Sequence, residues 1–93
     1  SLRELDLRGN EIGDQGLIAL SEACAKGALA NLTALGLNEN QIGDDGMKAF
    51  SDVCAKGALP SLRHLFLNEG LLGVDHPRLS ELCRTRGIRT HTV

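Results

Sequence analysis

The sequence predicts an α/β fold built from repeated units, with parallel strands along one inner face and helices along the outer one. Three observations carry this. First, the chain repeats itself every 30 residues: positions 32–61 match positions 2–31 at 16 of 30 places and positions 62–91 at 8 of 30. A fixed period of that length is the mark of a solenoid. Second, each copy opens on a short alternating stretch, as a half-buried strand does. Third, each copy closes on a helix-period apolar face ended by glycine. Strands joined through helices must run parallel.

In the first copy, Leu2, Leu5 and Leu7 form LxxLxL. Leu5 and Leu7 point inward, while Glu4, Asp6 and Arg8 point out. Gly9 and Asn10 turn the chain, the Asn amide being suited to backbone groups that the turn leaves unpaired. Ile12 dips back into the core. Asp14 stands where an N-cap carboxylate would serve a helix from about residue 14 to 26. Leu17, Leu20 and Cys24 make its inner face, and Gly27 its left-handed stop.

The second copy repeats each device: Leu32, Leu35 and Leu37, then Asn40, Ile42, Asp44 as cap, Met47, Phe50 and Cys54 inward, and Gly57 as stop. Pro60 precedes the third strand, where an extended backbone is needed. The third copy keeps Leu62, Leu65 and Leu67, then departs. Gly70 replaces the turn Asn, and Asp75-His76-Pro77 opens the helix with a cap and a first-turn proline. Leu79, Leu82 and Cys83 face inward, Arg84 and Arg86 favour the negative helix end, and Gly87 stops it. Terminal units of such arrays are atypical because one face meets water. Residues 88–93 read as an extended edge or a frayed tail.

The bulk numbers narrow the function. The chain has 93 residues and a net charge of −2, so it is not an electrostatic nucleic-acid binder as a whole. Charge is uneven: residues 1–77 carry 6 Lys/Arg against 11 Asp/Glu, and residues 78–93 carry 4 Arg against 1 Glu. Aromatics make up 2% of the chain, so the core must be aliphatic. The 3 cysteines recur with the repeat rather than in pairs, which argues against disulfides and for a reducing, cytoplasmic compartment. No 18-residue apolar stretch is present, so no membrane is expected as a partner. The chain opens on Ser1 already inside a repeat, which reads as the C-terminal part of a longer array with further repeats upstream.

LxxLxL followed by NxI, then GDxG and a full helix, resembles the leucine-rich repeat, and the length of the unit resembles its ribonuclease-inhibitor-like subclass. The residues that carry this are Leu2, Leu5, Leu7, Asn10, Ile12, Gly13 and Gly16, and in the second copy Leu32, Leu35, Leu37, Asn40, Ile42, Gly43 and Gly46. The resemblance implies a leucine-rich-repeat solenoid with strands on the concave face and helices on the convex one. It divides the chain into repeats 2–31 and 32–61 and a capping repeat 62–93. It further implies a non-catalytic scaffold that binds a protein partner. Two other readings follow from relatives of the fold: part of a regulator of a small GTPase, or the ligand-sensing arm of an innate-immune-type receptor. The basic end of this chain counts against the first, where an acidic tail is expected.

The candidate binding residues are the outward positions of the strands: Glu4, Asp6, Arg8, Asn38, His64, Phe66 and Asn68. Phe66 is the natural anchor, since aromatics dominate interfaces, and Ala34 and Gly36 leave a shallow patch beside it. Cys24 and Cys54 read as core thiols. His64, His76, His91 and Cys83 show no recognised ligand spacing, so neither metal nor cofactor is expected. Arg78, Arg84, Arg86 and Arg89 form the basic patch, read as helix-end compensation. The first copy, lacking cover upstream, should leave Leu2, Leu5, Leu7 and Leu17 as an apolar edge.

Overall fold

The computed structural model describes residues 2–67 and 77–92. Among the described residues seven elements follow in order: β1 (Glu4–Asp6), α1 (Gly13–Ala25), β2 (Ala34–Gly36), α2 (Asp44–Ala55), β3 (His64–Leu67), α3 (Pro77–Arg86) and β4 (Arg89–Thr92). The strands form one parallel sheet in the order β1-β2-β3-β4. The first three pair 30 residues apart, as Leu5 with Leu35 and Leu35 with Leu65. The fourth breaks that spacing, with His64 opposite Arg89. The connection after Gly87 lacks the turn that follows Gly27 and Gly57, so the last strand arrives early. The expected edge is therefore a full strand.

Alternation works as the sequence demands. Leu35, Leu37, Leu65 and Leu67 point from the sheet into the core, where they meet Leu17, Met47, Phe50 and Leu79 from the helices, and all are buried. Each helix ends in the same way. Gly27, Gly57 and Gly87 adopt φ of +99°, +105° and +74°. The amide that follows each glycine bonds back to a carbonyl of the last turn: Ala28 to Ala23, Ala58 to Val53 and Ile88 to Cys83. That is the glycine-dependent Schellman closure.

Helix starts depart from expectation. Asp14 does not cap its own helix: α1 begins at Gly13 after Ile12, whose side chain makes no capping bond. Instead, the Asp14 carboxylate accepts from the amides of Gly43 and Gly46, at 2.7 and 3.0 Å, and so caps α2 of the next copy. Asp44 is the first residue of α2, and Gly43 stands at its N-cap. The glycines of GDxG now have a reason. A Cβ on Gly46 would stand 2.6 Å from the Asp14 Oδ1 and 3.1 Å from its Cα, so only glycine admits the neighbouring helix that closely. The cap expected from Asp75 lies outside the described residues.

The turn asparagine also works across copies. Asn40 is fully buried; its Oδ1 accepts from Asn10 N at 2.7 Å and Ile12 N at 3.3 Å. Its Nδ2 donates to Leu7 O at 2.7 Å and Leu37 O at 3.1 Å. One amide thus continues the sheet ladder where β1 and β2 have ended, pairing backbone groups of both copies. The Gly70 expected in place of the third asparagine lies outside the described residues.

Candidate functional site

The outward side chains of the sheet line a cleft of about 380 Å³. Ala34 and Gly36 of β2 make its floor, Glu4, Asp6 and Arg8 one wall, and Phe66 the other. The floor is low because the sheet is tight there: a Cβ on Gly36 would lie 3.1 Å from the Asp6 Oδ1. Asp6 accepts from the Arg8 amide at 3.0 Å and faces its guanidinium at 3.7 Å. Both side chains are exposed, so this pair shapes the rim without holding the fold.

Five of the seven residues expected to bind, Glu4, Asp6, Arg8, Asn38 and Phe66, line this one cleft. Asn38 is 5% exposed and belongs to the floor rather than to a projecting rung. Phe66 is half-buried, because one ring face stacks on His91 of β4 at 4.5 Å between centroids and 19° between planes. His64 stands beside them, its Nδ1 3.2 Å from His91 Nε2. Asn68 lies outside the described residues.

The sequence reading weighs His91 only as a metal ligand and not as part of the strand face, because β4 carries no LxxLxL. The signal that would have found it is the third glycine closure, Gly87-Ile88, followed at once by the alternation of Arg89-Thr90-His91-Thr92. Arg86 lies in the last turn of α3, as the sequence reading has it, and also serves the end of a second helix. Its guanidinium donates to Cys54 O at 3.1 Å, Ala58 O at 3.0 Å and Leu59 O, closing the C-terminal end of α2. Arg78 pairs with Asp52 of α2 at 2.6 Å, and Arg84 with Glu81. Three of the four arginines of the basic end are thus engaged within the chain.

The thiols of Cys24, Cys54 and Cys83 are free and buried. Burial pushes all three up, that of Cys54 to about 12 against a pull downward from Arg86. Buried thiols held protonated in this way are poor nucleophiles at neutral pH. Leu17, expected at the open edge, is completely buried, since it faces α2 rather than upstream; Leu2 is 50% exposed there, and Leu5 and Leu7 are half-buried. Among the described residues no three metal-ligating side chains converge, and no helix is long and apolar enough to cross a membrane.

Comparison with known proteins agrees with this geometry. Residues 1–21 and 28–51 match the Leucine Rich repeat family. No curated protein and no solved structure matches the chain. Among the described residues, the parallel sheet and three helices, with the match over residues 1–21 and 28–51, fit an α/β fold of the leucine-rich-repeat kind. Repeats of this kind commonly mediate protein–protein interaction, and the family is generally non-catalytic.

Proposed function

We propose that the chain is a protein-interaction module whose partner seats in the cleft over the strand face. The observation that supports this is the cleft itself: a floor of Ala34 and Gly36, too small to fill it, between the charged rim of Asp6 and Arg8 and the half-buried Phe66 ring. A concave apolar floor with a polar rim suits a projecting side chain of a protein partner. In this reading Glu4, Asp6, Arg8 and Asn38 with His64, Phe66 and Asn68 form the binding face. The units 2–31 and 32–61 with the cap 62–93 form a ribonuclease-inhibitor-like solenoid, with strands on its concave side. The module acts in the cytoplasm and performs no chemistry of its own.

A photo-crosslinking residue tests this directly. Placed instead of Ala34 it should capture a defined protein in cells, whereas placed instead of Lys48, on the exposed side of α2, it should not. Equal capture from both positions would move the binding face away from the strands.

A further inference from the structure

The two histidines that the last strand pair brings together are 27 positions apart in sequence and belong to no repeat motif. His64 leaves β3 and His91 leaves β4, on the same outward face, two rungs apart in the register. Their facing nitrogens, Nδ1 of His64 and Nε2 of His91, are 3.2 Å apart. Two nitrogens bound to a single zinc-like ion, at bonds of about 2.0–2.1 Å and a near-tetrahedral angle, lie about 3.3 Å apart. The pair therefore already holds the separation that chelation requires. His91 is also fixed in plane by its stack on Phe66, so little rotational freedom remains to be lost.

We propose that His64 and His91 form a two-histidine binding site for a divalent ion of the zinc, nickel or copper class, with water completing the coordination. Imidazole nitrogen suits these ions and not magnesium or calcium, which take oxygen. In the metal-free pair one ring N–H donates to the other ring. Binding moves that proton to the far nitrogen of the same imidazole, so both facing nitrogens present lone pairs and no net proton is released from a neutral pair. Arg89, opposite His64 in the register, adds a positive charge to this face. It is exposed, so water screens it, and it weakens the site without closing it. With two protein ligands the site is a weak one, suited to an ion whose remaining positions stay open to solvent. The cysteines do not compete, since all three are buried beneath the sheet and held protonated.

Zinc or nickel titration of the chain, read by long-range proton–nitrogen spectra of the imidazoles, tests the site without any protein partner. The expected result is one ion per chain, with the large shifts at His64 Nδ1 and His91 Nε2. His64→Gln and His91→Gln should each weaken binding about tenfold or more, as loss of one of two chelating ligands does, while His76→Gln leaves it unchanged. If His91→Gln detaches β4, the ring-nitrogen shifts of the unsubstituted chain and His64→Gln still decide. Facing nitrogens that do not move at saturating metal would overturn the proposal. So would equal loss on His76→Gln, or no binding up to millimolar ion.

Discussion

The first and second copies use the same devices at the same positions, yet the molecule treats them differently. Leu35 and Leu37 are completely buried; their counterparts Leu5 and Leu7 are half-buried. Asn40 is sealed inside and bonds backbone groups of two copies, whereas Asn10 is exposed and bonds Leu7 O and Arg8 O of its own turn. Helix α2 is held at its start by Asp14 of α1 and at its end by Arg86 of α3. The N-cap of α1, Ile12, makes no side-chain capping bond. In such an array a residue's worth is set by its neighbours on both sides more than by its own unit.

The largest test of that difference lies in the leucines. Leu35→Ala should cost about 3–4 kcal/mol and Leu5→Ala about 1 kcal/mol, because truncation within a packed core leaves a cavity and truncation at a half-open edge does not. Urea unfolding of the two variants reads both values. Equal losses would mean that the open edge is covered in solution.

The asparagines come next. Asn40→Ala strands the amides of Asn10 and Ile12 and the carbonyls of Leu7 and Leu37, at about 2–3 kcal/mol. Asn10→Ala, exposed to water, should cost less than about 1 kcal/mol. Thermal or urea melts of the pair would show the gap, and amide exchange at Ile12 should rise in the Asn40 variant alone.

How much of this was legible in the sequence follows the same line. Everything local was readable: the strand alternation of Leu35 and Leu37, the left-handed glycines at 27, 57 and 87, and the turn role of asparagine. What failed was the address of each long-range bond. Asp14 looks like an ordinary N-cap for the helix it begins, and only the stacking of copies shows that its carboxylate lies over Gly43 and Gly46. The bonds of Arg86 to the end of α2 were hidden in the same way, and Leu17 looked like edge because its covering helix comes later in the chain. For the candidate site, the outward positions Glu4, Asp6, Arg8 and Phe66 followed from alternation. The stacking of Phe66 on His91 did not, because the shortened last connection shifts the pairing from 30 residues to that of His64 with Arg89.

The cross-copy cap gives a third and smaller effect. Asp14→Ala should destabilise by about 1–2 kcal/mol, the range of a lost N-cap, and it should do so by loosening α2. Hydrogen exchange resolves the two helices: faster exchange at the Gly43 and Gly46 amides, with α1 little changed, is the expected pattern. Exchange that rises at the start of α1 instead would restore the local cap that the sequence suggests. Gly46→Ala probes the same contact from the other side, since its Cβ would collide with Asp14. In combination with Asp14→Ala its cost should shrink, as coupled neighbours require.

The smallest effect is a pH dependence that also separates the two copies. The Cys54 thiol is raised to about 12 from its ordinary 9.0, by burial first and by the thiols of Cys24 and Cys83 on either side, against the pull of Arg86. Below pH 9.0 the thiol is protonated in both the folded and the unfolded chain, and its contribution to stability is fully present. Above that, the unfolded chain loses the proton while the folded chain keeps it, so stability falls as pH rises from 9.0 through about 12. At about pH 10 the loss should be about 1 kcal/mol. Comparing urea unfolding at neutral pH and at about pH 10, Cys54→Ala should flatten this decline more than Cys24→Ala, because Cys54 has a buried thiol on both sides. The same decline in both variants would mean that the central thiol does not govern alkaline unfolding. The central copy would then owe its greater protection to packing and capping alone.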